Sequence, residues 1–404
     1  MKLREVDVKE YARFLKEVEK RSESGGVVDY GVSFLQSVEM YQRYVDEGRE
    51  AYLLGLYDKK KMVAGGVVVK IGEKMGRKIF RMAGGPVLNY QNCQEILTEF
   101  SSGVREFLKG KGGSVLLISP QVSEVERDRE NQVVGEGEAK NVKVNLQKLG
   151  WKYLGESGQA KWIYVMDNRW IEAKKIEDRG VKKQNKKAVL PEGVKAGTTE
   201  AEIYENLRTN HRQEIRRAER EGLKVVELSE EDLPVLKKIT SEAGERHEFQ
   251  DPDIKYFKSM KEAFGEKVKF YAVVAPIEVV KKYSEEVSGL EINKKYVAVA
   301  GAMFMEDKPR EIVYLYSGSL ARFQRLGGAY LLQWEMIKKM VVGKYYRYNF
   351  YGVRPAAGNG VYKFKQGFRD GKVVEIVGTF GLALDLFGKL YLMRMRANEY
   401  GNVQ

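Results

Sequence analysis

The order of elements read between residues 51 and 118 returns between residues 269 and 350, and a chain that repeats itself in this way builds two related units, not one continuous core. In the first copy, 51–57 is an apolar run, Asp58-Lys59-Lys60-Lys61 makes a turn, and 62–71 is a second strand with Gly65-Gly66 inside it. A third strand covers 78–82 and ends in Ala83-Gly84-Gly85-Pro86-Val87, 94–108 has helical spacing, and 114–118 is a short buried strand stopped by Pro120. In the second copy, 269–275 is apolar, 296–305 is a strand with an internal Gly301, 311–316 is a third strand, 327–340 is a helix, and 345–350 is a closing strand. The copies share element order and glycine placement more than identical residues. This predicts an α/β (α+β) chain of two lobes with a cleft between them, a common location for substrates.

The bulk composition narrows the function classes. The 404 residues suffice for more than one domain, and 43% hydrophobic with 31% charged residues allows a real core in a chain that stays soluble. The single cysteine, Cys93, excludes an internal disulfide framework and a cysteine metal cluster. Two histidines, His211 and His247, leave little room for a histidine-rich metal site or a Ser-His-Asp triad, so no metal is expected. The N-terminus is charged throughout and lacks the apolar core of a signal peptide, and no apolar run approaches membrane-spanning length, which predicts a cytoplasmic protein. Seventy Lys+Arg against 57 Asp+Glu give a net charge of +13 and favour polyanionic partners: nucleic acid, nucleotide diphosphates or an anionic membrane face.

Outside the repeats, residues 4–21 have helical spacing, with Val8, Tyr11, Leu15 and Val18 on one face. A loop around Phe34 enters a short helix with Ser37 as its N-cap and Arg43 within it. Residues 176–199 form a Lys-rich linker without periodicity, ending in Thr198-Thr199. A helix then carries Ile203, Leu207, Ile215 and Ala218, together with Arg208, Arg212, Arg216, Arg217 and Arg220. Arg212, Arg216 and Arg220 are four apart and share a face. The charge pattern leaves open both a solvated face paired with Glu214, Glu219 and Glu221 and a phosphate clamp built on the planar guanidinium fork. Residues 233–247 form a further helix, where His247 is a helix-end hydrogen-bonding residue. The amphipathic tail at 382–395 docks on the body as a closing helix, with Arg394 and Arg396 at its C-terminal end.

Chemistry is expected in the stretch from Tyr348 to Phe368. It opens as a half-buried strand, breaks at Gly352, and passes through a loop with Arg354, Pro355, Gly358 and Gly360. It ends in Phe364-Lys365-Gln366-Gly367-Phe368, a cation between two aromatic residues in the chain. No Walker A sequence, HExxH, GxSxG or strand-linked GxGxxG is present. Gln324 to Ala329 is loosely similar to the pyrophosphate loop of acetyl-CoA-dependent N-acetyltransferases, since amides at a helix start bind phosphate. At this level an acyltransferase, a nucleic-acid-binding protein and a structural scaffold all stand.

Five stretches in order resemble the FemABX family, the aminoacyl-tRNA-dependent transferases that add amino acids to peptidoglycan precursor peptides. They are Phe34-Leu35-Gln36-Ser37, Gly84-Gly85-Pro86-Val87, the Arg212 to Gly222 helix, Tyr316-Ser317-Gly318-Ser319, and the stretch with Gly360 and Phe364-Lys365. The resemblance implies two acetyltransferase-like (GNAT-type) lobes, 1–170 plus 376–404 and 171–375. It implies transfer of an aminoacyl group from tRNA to a stem-peptide amine of a UDP-linked or lipid-linked muropeptide. Aminoacyl-tRNA is then the co-substrate, no cofactor is required, and peripheral contact with the inner membrane face is compatible. Lys365 would stabilise the developing oxyanion and Phe364 would position it. Arg212, Arg216 and Arg217 would hold the precursor's diphosphate, with Arg43, Tyr316 and Gly352 as further substrate contacts. The chain departs from the family in placing Met40 and Arg43 where some members have tryptophan and lysine, and in shortening the coiled-coil arm to about 276–295. A CoA-dependent N-acyltransferase on the same frame and a non-enzymatic RNA-binding protein are the alternatives.

Overall fold

The computed structural model describes residues 1–23, 31–91, 93–137, 139, 141–168, 199–247, 251–293 and 295–395. The Lys-rich linker expected at 176–199 lies outside them except for Thr199. Two compact units emerge. One comprises residues 1–128, 132–162 and 374–403, and the other 129–131 with 163–373.

In the first unit the sheet runs in the order Lys2–Glu5, Ala51–Asp58, Lys61–Lys74, Arg77–Gly84, Gly113–Pro120, Thr379–Ala383, Lys152–Gly155. Neighbours are antiparallel except Arg77–Gly84 with Gly113–Pro120, which are parallel because the helix Gln94–Gly110 crosses over between them. The second unit repeats this arrangement. Lys224–Glu227, Val268–Pro276, Tyr296–Asp307 and Glu311–Ser319 are antiparallel in turn. Glu311–Ser319 then pairs in parallel with Arg347–Gly352 after the crossover helix Gly328–Gly343. The repeat also extends further than periodicity indicates. In each unit an edge strand and two helices directly precede the three-strand meander: Val8–Glu23 and Val38–Asp46 in one, Leu233–His247 and Ile254–Phe264 in the other.

Gly65 and Gly301 share one physical cause. A Cβ at Gly65 would sit 3.1 Å from Tyr11 Cε2, and one at Gly301 would sit 3.0 Å from Leu236 Cδ1. The helices Val8–Glu23 and Leu233–His247 therefore each cross their sheet over a strand position that has no side chain. The motifs at 34–37 and 84–87 also meet. Gln36, 1% exposed, accepts from the Val67 N–H at 2.8 Å and donates to the Ala83 carbonyl at 2.7 Å, tying two strands to the chain entry. Ser37 caps the following helix by accepting from Met40 N.

Three expectations are corrected. The first helix is Val8–Glu23, because Lys2–Glu5 pairs with Ala51–Asp58 as a strand and Asp7 accepts the Glu10 N–H at the helix start. The single helix expected from Thr199 is two, Glu200–Asn206 and Thr209–Arg220, with Leu207 and Arg208 extended between them. The tail is a strand, Thr379–Ala383, followed by the helix Leu386–Arg394, so Leu382 and Leu384 belong to the sheet side and Leu386 and Leu390 are exposed.

Candidate active site

The site starts from an irregularity in the strand Arg347–Gly352. Against its antiparallel partner Trp162–Asp167, Val165 faces Asn349 but Ile163 faces Gly352, so one strand has an extra residue. Tyr351 absorbs this β-bulge with φ +61, in the left-handed region that residues other than glycine rarely adopt. Its N–H donates to Asn349 Oδ1 at 2.8 Å, which fixes the turn. In a regular strand successive carbonyls alternate sides. Here Phe350, Tyr351 and Gly352 all turn their carbonyls toward one atom, Lys365 Nζ, at 2.7, 3.4 and 2.5 Å.

Lys365 reaches that position from the helix Gly360–Gln366, which is capped by Asn359 accepting from Tyr362 N. The cation on an apolar platform in a loop, expected from the sequence, is corrected in its backbone: Lys365 is helical and 4% exposed. Burial pushes its ammonium down from the ordinary 10.5 to about 7. Phe364 and Phe368 lie one turn apart on another side of the chain, 5.6 Å between ring centroids, and Phe368 packs on Phe350 at 5.1 Å. The aromatic residues flanking Lys365 therefore anchor its helix, while carbonyls surround its charge.

A residue without a role in the sequence reading completes the arrangement. His211, buried on the helix Thr209–Arg220, stacks on Phe364 at 5.7 Å and meets Phe368 and Tyr330 edge-on at 4.9 and 4.8 Å. Its Nε2 lies 2.8 Å from the Phe364 carbonyl, an acceptor, so Nε2 carries the proton. Nδ1 is buried without a partner, and burial holds the imidazole down at about 4, with the Arg208 charge adding to the effect. The chain permits this approach at Gly367, where a Cβ would sit 2.0 Å from both His211 Cε1 and Nε2. Beside it, Arg208 N donates to the Gly367 carbonyl at 2.9 Å. The only local signal for His211 is a histidine one residue before the Arg ladder.

The ladder residues serve different ends. Arg212 donates to the Glu205 carbonyl and, at 3.1 Å, to the Leu207 carbonyl, closing the C-terminus of Glu200–Asn206. Arg217 pairs with Glu214 and donates to the Arg325 carbonyl at 2.8 Å. That bond also packs this helix against the 324–329 stretch. Arg216 is exposed, with its guanidinium over the Tyr204 ring at 5.7 Å. Tyr316 packs edge-on against Tyr256 and Phe257, in the same unit as Lys365.

Arg43 belongs to the other unit. It is buried and pairs with Glu47 at 2.7 Å, beside Tyr44, over whose ring Arg49 also lies at 4.7 Å. A third cation acts on Tyr44 there: Arg81, whose Nε is buried without a partner and whose guanidinium burial drives it below its ordinary range. The sequence reading gave Arg81 no role. Among the described residues no group of three or more His, Cys, Asp or Glu is placed to hold a metal ion.

Comparison with known proteins agrees with this frame. The sequence matches the FemAB family over residues 28–195, 193–289 and 275–388. It is 23% identical over 400 residues to aminoacyltransferase FemA of Staphylococcus aureus strain MRSA252, covering 86% of this chain and 89% of that protein. The FemA of strain bovine RF122 / ET3-1 is 22% identical over the same shares. The crystal structure of FemX superposes with a TM-score of 0.68 at 16% identity, covering 98% of this chain and all of that one.

Proposed function

The chain belongs to the FemAB family and is an aminoacyltransferase of interpeptide-bridge synthesis, and we propose that Lys365 is the group around which its acyl transfer takes place. The acyl donor is aminoacyl-tRNA and the acceptor a stem-peptide amine of a peptidoglycan precursor. The neutral amine attacks the ester carbonyl carbon and forms the new C–N bond while the carbonyl electrons move onto oxygen. Collapse then breaks the bond to the ribose oxygen, which leaves with the proton the amine gives up. The ester is already activated, so alignment and charge stabilisation are what the protein must supply.

The observation that carries this reading is the carbonyl cage of Lys365. Two of its N–H groups are anchored on Phe350 and Gly352, and the third spans 3.4 Å to Tyr351, too long for a strong bond. That donor is the one a developing oxyanion can take. In a buried site such a donor is worth roughly 100- to 1,000-fold in rate. Phe364, held by His211, positions it. The precursor's diphosphate, UDP-linked or lipid-linked, is assigned to Arg216, the exposed cation of the ladder. Arg212 and Arg217 support the helix that carries Arg216, and Tyr316 and Gly352 shape the surroundings of Lys365. The reading requires no cofactor beyond charged tRNA. It places the chain in the cytoplasm, with peripheral contact at the inner membrane face; no helix among the described residues is long and apolar enough to cross a membrane.

The test is incubation with a mixed charged-tRNA pool and a UDP-muropeptide, followed by mass spectrometry. Wild type should add an aminoacyl mass to the peptide, and Lys365→Met should lose it with the fold intact. Near-normal turnover in Lys365→Met would sink the mechanism. Tight acetyl-CoA binding by calorimetry, with no response to charged tRNA, would select the CoA-dependent alternative.

A further inference from the structure

The helix Leu386–Arg394 is fastened to the first unit along one side only. Its N-cap Asp385 accepts from Gly388 N and from Ser114 Oγ, each at 2.8 Å, and pairs with Arg77 at 3.4 Å. Gly388 lies so close to the strand Gly113–Pro120 that a Cβ there would meet the Ser114 carbonyl at 1.9 Å. Leu392 is buried, and Lys152 Nζ closes the far end by donating to the Leu392 and Met395 carbonyls at 2.6 and 2.8 Å. The opposite side presents Leu386, Leu390 and Met393, 76%, 59% and 72% exposed, at the four-then-three spacing of a single helical stripe.

The stripe has apolar and basic company. Met75, at the tip of the hairpin between Lys61–Lys74 and Arg77–Gly84, is 84% exposed, and Arg77, two residues on, is the partner of Asp385. Hairpin tip and helix start thus share one end of the sheet. Lys389 and Arg394 are exposed on the helix, and Lys74 and Arg77 on the hairpin. The neighbouring acids are engaged: Asp385 with Arg77, and Glu73 with Lys70.

Protruding apolar side chains interspersed with long cations match a bilayer interface, where the apolar groups enter the acyl boundary and the cations stay at the headgroups. We propose that Leu386, Leu390, Met393 and Met75, with Lys74, Arg77, Lys389 and Arg394, form a docking surface for an anionic phospholipid membrane. The charge of this surface, on a chain of net +13, selects an anionic leaflet over a neutral one. The inference rests on the aminoacyl-transfer reading for its purpose, which is to hold the enzyme beside a lipid-linked acceptor, and on the surface alone for its existence.

The experiment is sedimentation of the full-length protein with vesicles containing phosphatidylglycerol, or with phosphatidylcholine vesicles alone. Binding is expected to the first only, weakened by salt. Leu386→Glu/Leu390→Glu/Met393→Glu should reduce it about tenfold or more, and Lys389→Glu or Arg394→Glu about fivefold each. Unchanged circular dichroism and unchanged transfer to a soluble UDP-muropeptide in these variants identify the loss as one of docking. Equal binding by wild type and the triple variant overturns the proposal. So does absence of vesicle binding by a wild-type protein that self-associates through this face, since the occupant is then a second copy. A protein that binds vesicles as described but transfers no aminoacyl group leaves the surface standing and removes the reading of its purpose.

Discussion

His211 Nε2 stands 2.8 Å from the Phe364 carbonyl, with the two rings stacked at 5.7 Å, and this pair joins the Arg-bearing helix to the helix that carries Lys365. His211→Ala should leave the Phe364 carbonyl with the Gly367 N–H, at 3.2 Å, as its remaining donor, and cost about 0.5–1.5 kcal/mol in stability. It should also lower the transfer rate more than it raises KM, because Lys365 shifts within its cage. His211→Gln, which can present an amide N–H near the same point, should recover part of both. Thermal melts beside steady-state kinetics decide it, and an alanine variant with wild-type kinetics would show that the pair is structural alone.

The same histidine sets an acid limit. Its folded value of about 4 is below the ordinary 6.5, so the unfolded chain takes up a proton in that window before the fold does. The stability due to His211 is complete above about 6.5 and is lost as pH falls toward 4. Denaturant melts across this range should show wild type losing stability that His211→Gln does not lose; parallel curves would contradict the assignment.

Lys365 acts with the same sign in a higher pH window. Its folded value of about 7 lies below its ordinary 10.5, so the penalty of burying the ammonium is present in full below pH 7 and relieved as pH rises toward 10.5. Each pH unit in that window is worth on the order of 1.4 kcal/mol. Wild type should gain stability relative to Lys365→Met as pH rises from 7 to 10, while the variant loses roughly 100- to 1,000-fold in transfer rate. A pH-independent difference in stability would mean that Nζ is solvated.

Gly367→Ala tests the approach itself. The backbone there is ordinary, so the cost is steric: the added methyl meets His211 at 2.0 Å. Overpacking of this kind costs about 1–3 kcal/mol, and the displaced imidazole should reduce transfer as His211→Ala does. Combining the two substitutions should cost less than their sum, which a double-mutant cycle reads directly.

The ladder divides into support and contact. Arg212→Ala should lower the melting temperature, because two carbonyls at the end of Glu200–Asn206 lose their donor. Arg216→Ala should leave the melting temperature unchanged and raise KM for the diphosphate-bearing acceptor. The reverse pattern would exchange their roles.

Much of the frame was legible in the chain because strands and crossover helices write their periodicity locally. The repeat and the internal glycines followed from that. The edge strands that precede each meander did not, since Lys2–Glu5 and Lys224–Glu227 are short segments with little alternation. The break at Leu207-Arg208 was hidden because the apolar spacing continues across it. In the site, Phe364 and Lys365 stood out by resemblance and by pattern, whereas Arg212 and Arg216 looked alike until their guanidinium groups were placed.

For Tyr348 to Phe368, the sequence alone determined that a strand ends at Gly352 and that a lysine follows between two phenylalanines. Tertiary structure decided that this lysine is buried. A bulge at Tyr351 turns three carbonyls onto Nζ, and a histidine 153 residues before Phe364 fixes the helix that delivers it. Side-chain spacing reports which face of an element is apolar, but the direction of a carbonyl and the loss of solvent around a charge arise only when distant segments pack against each other.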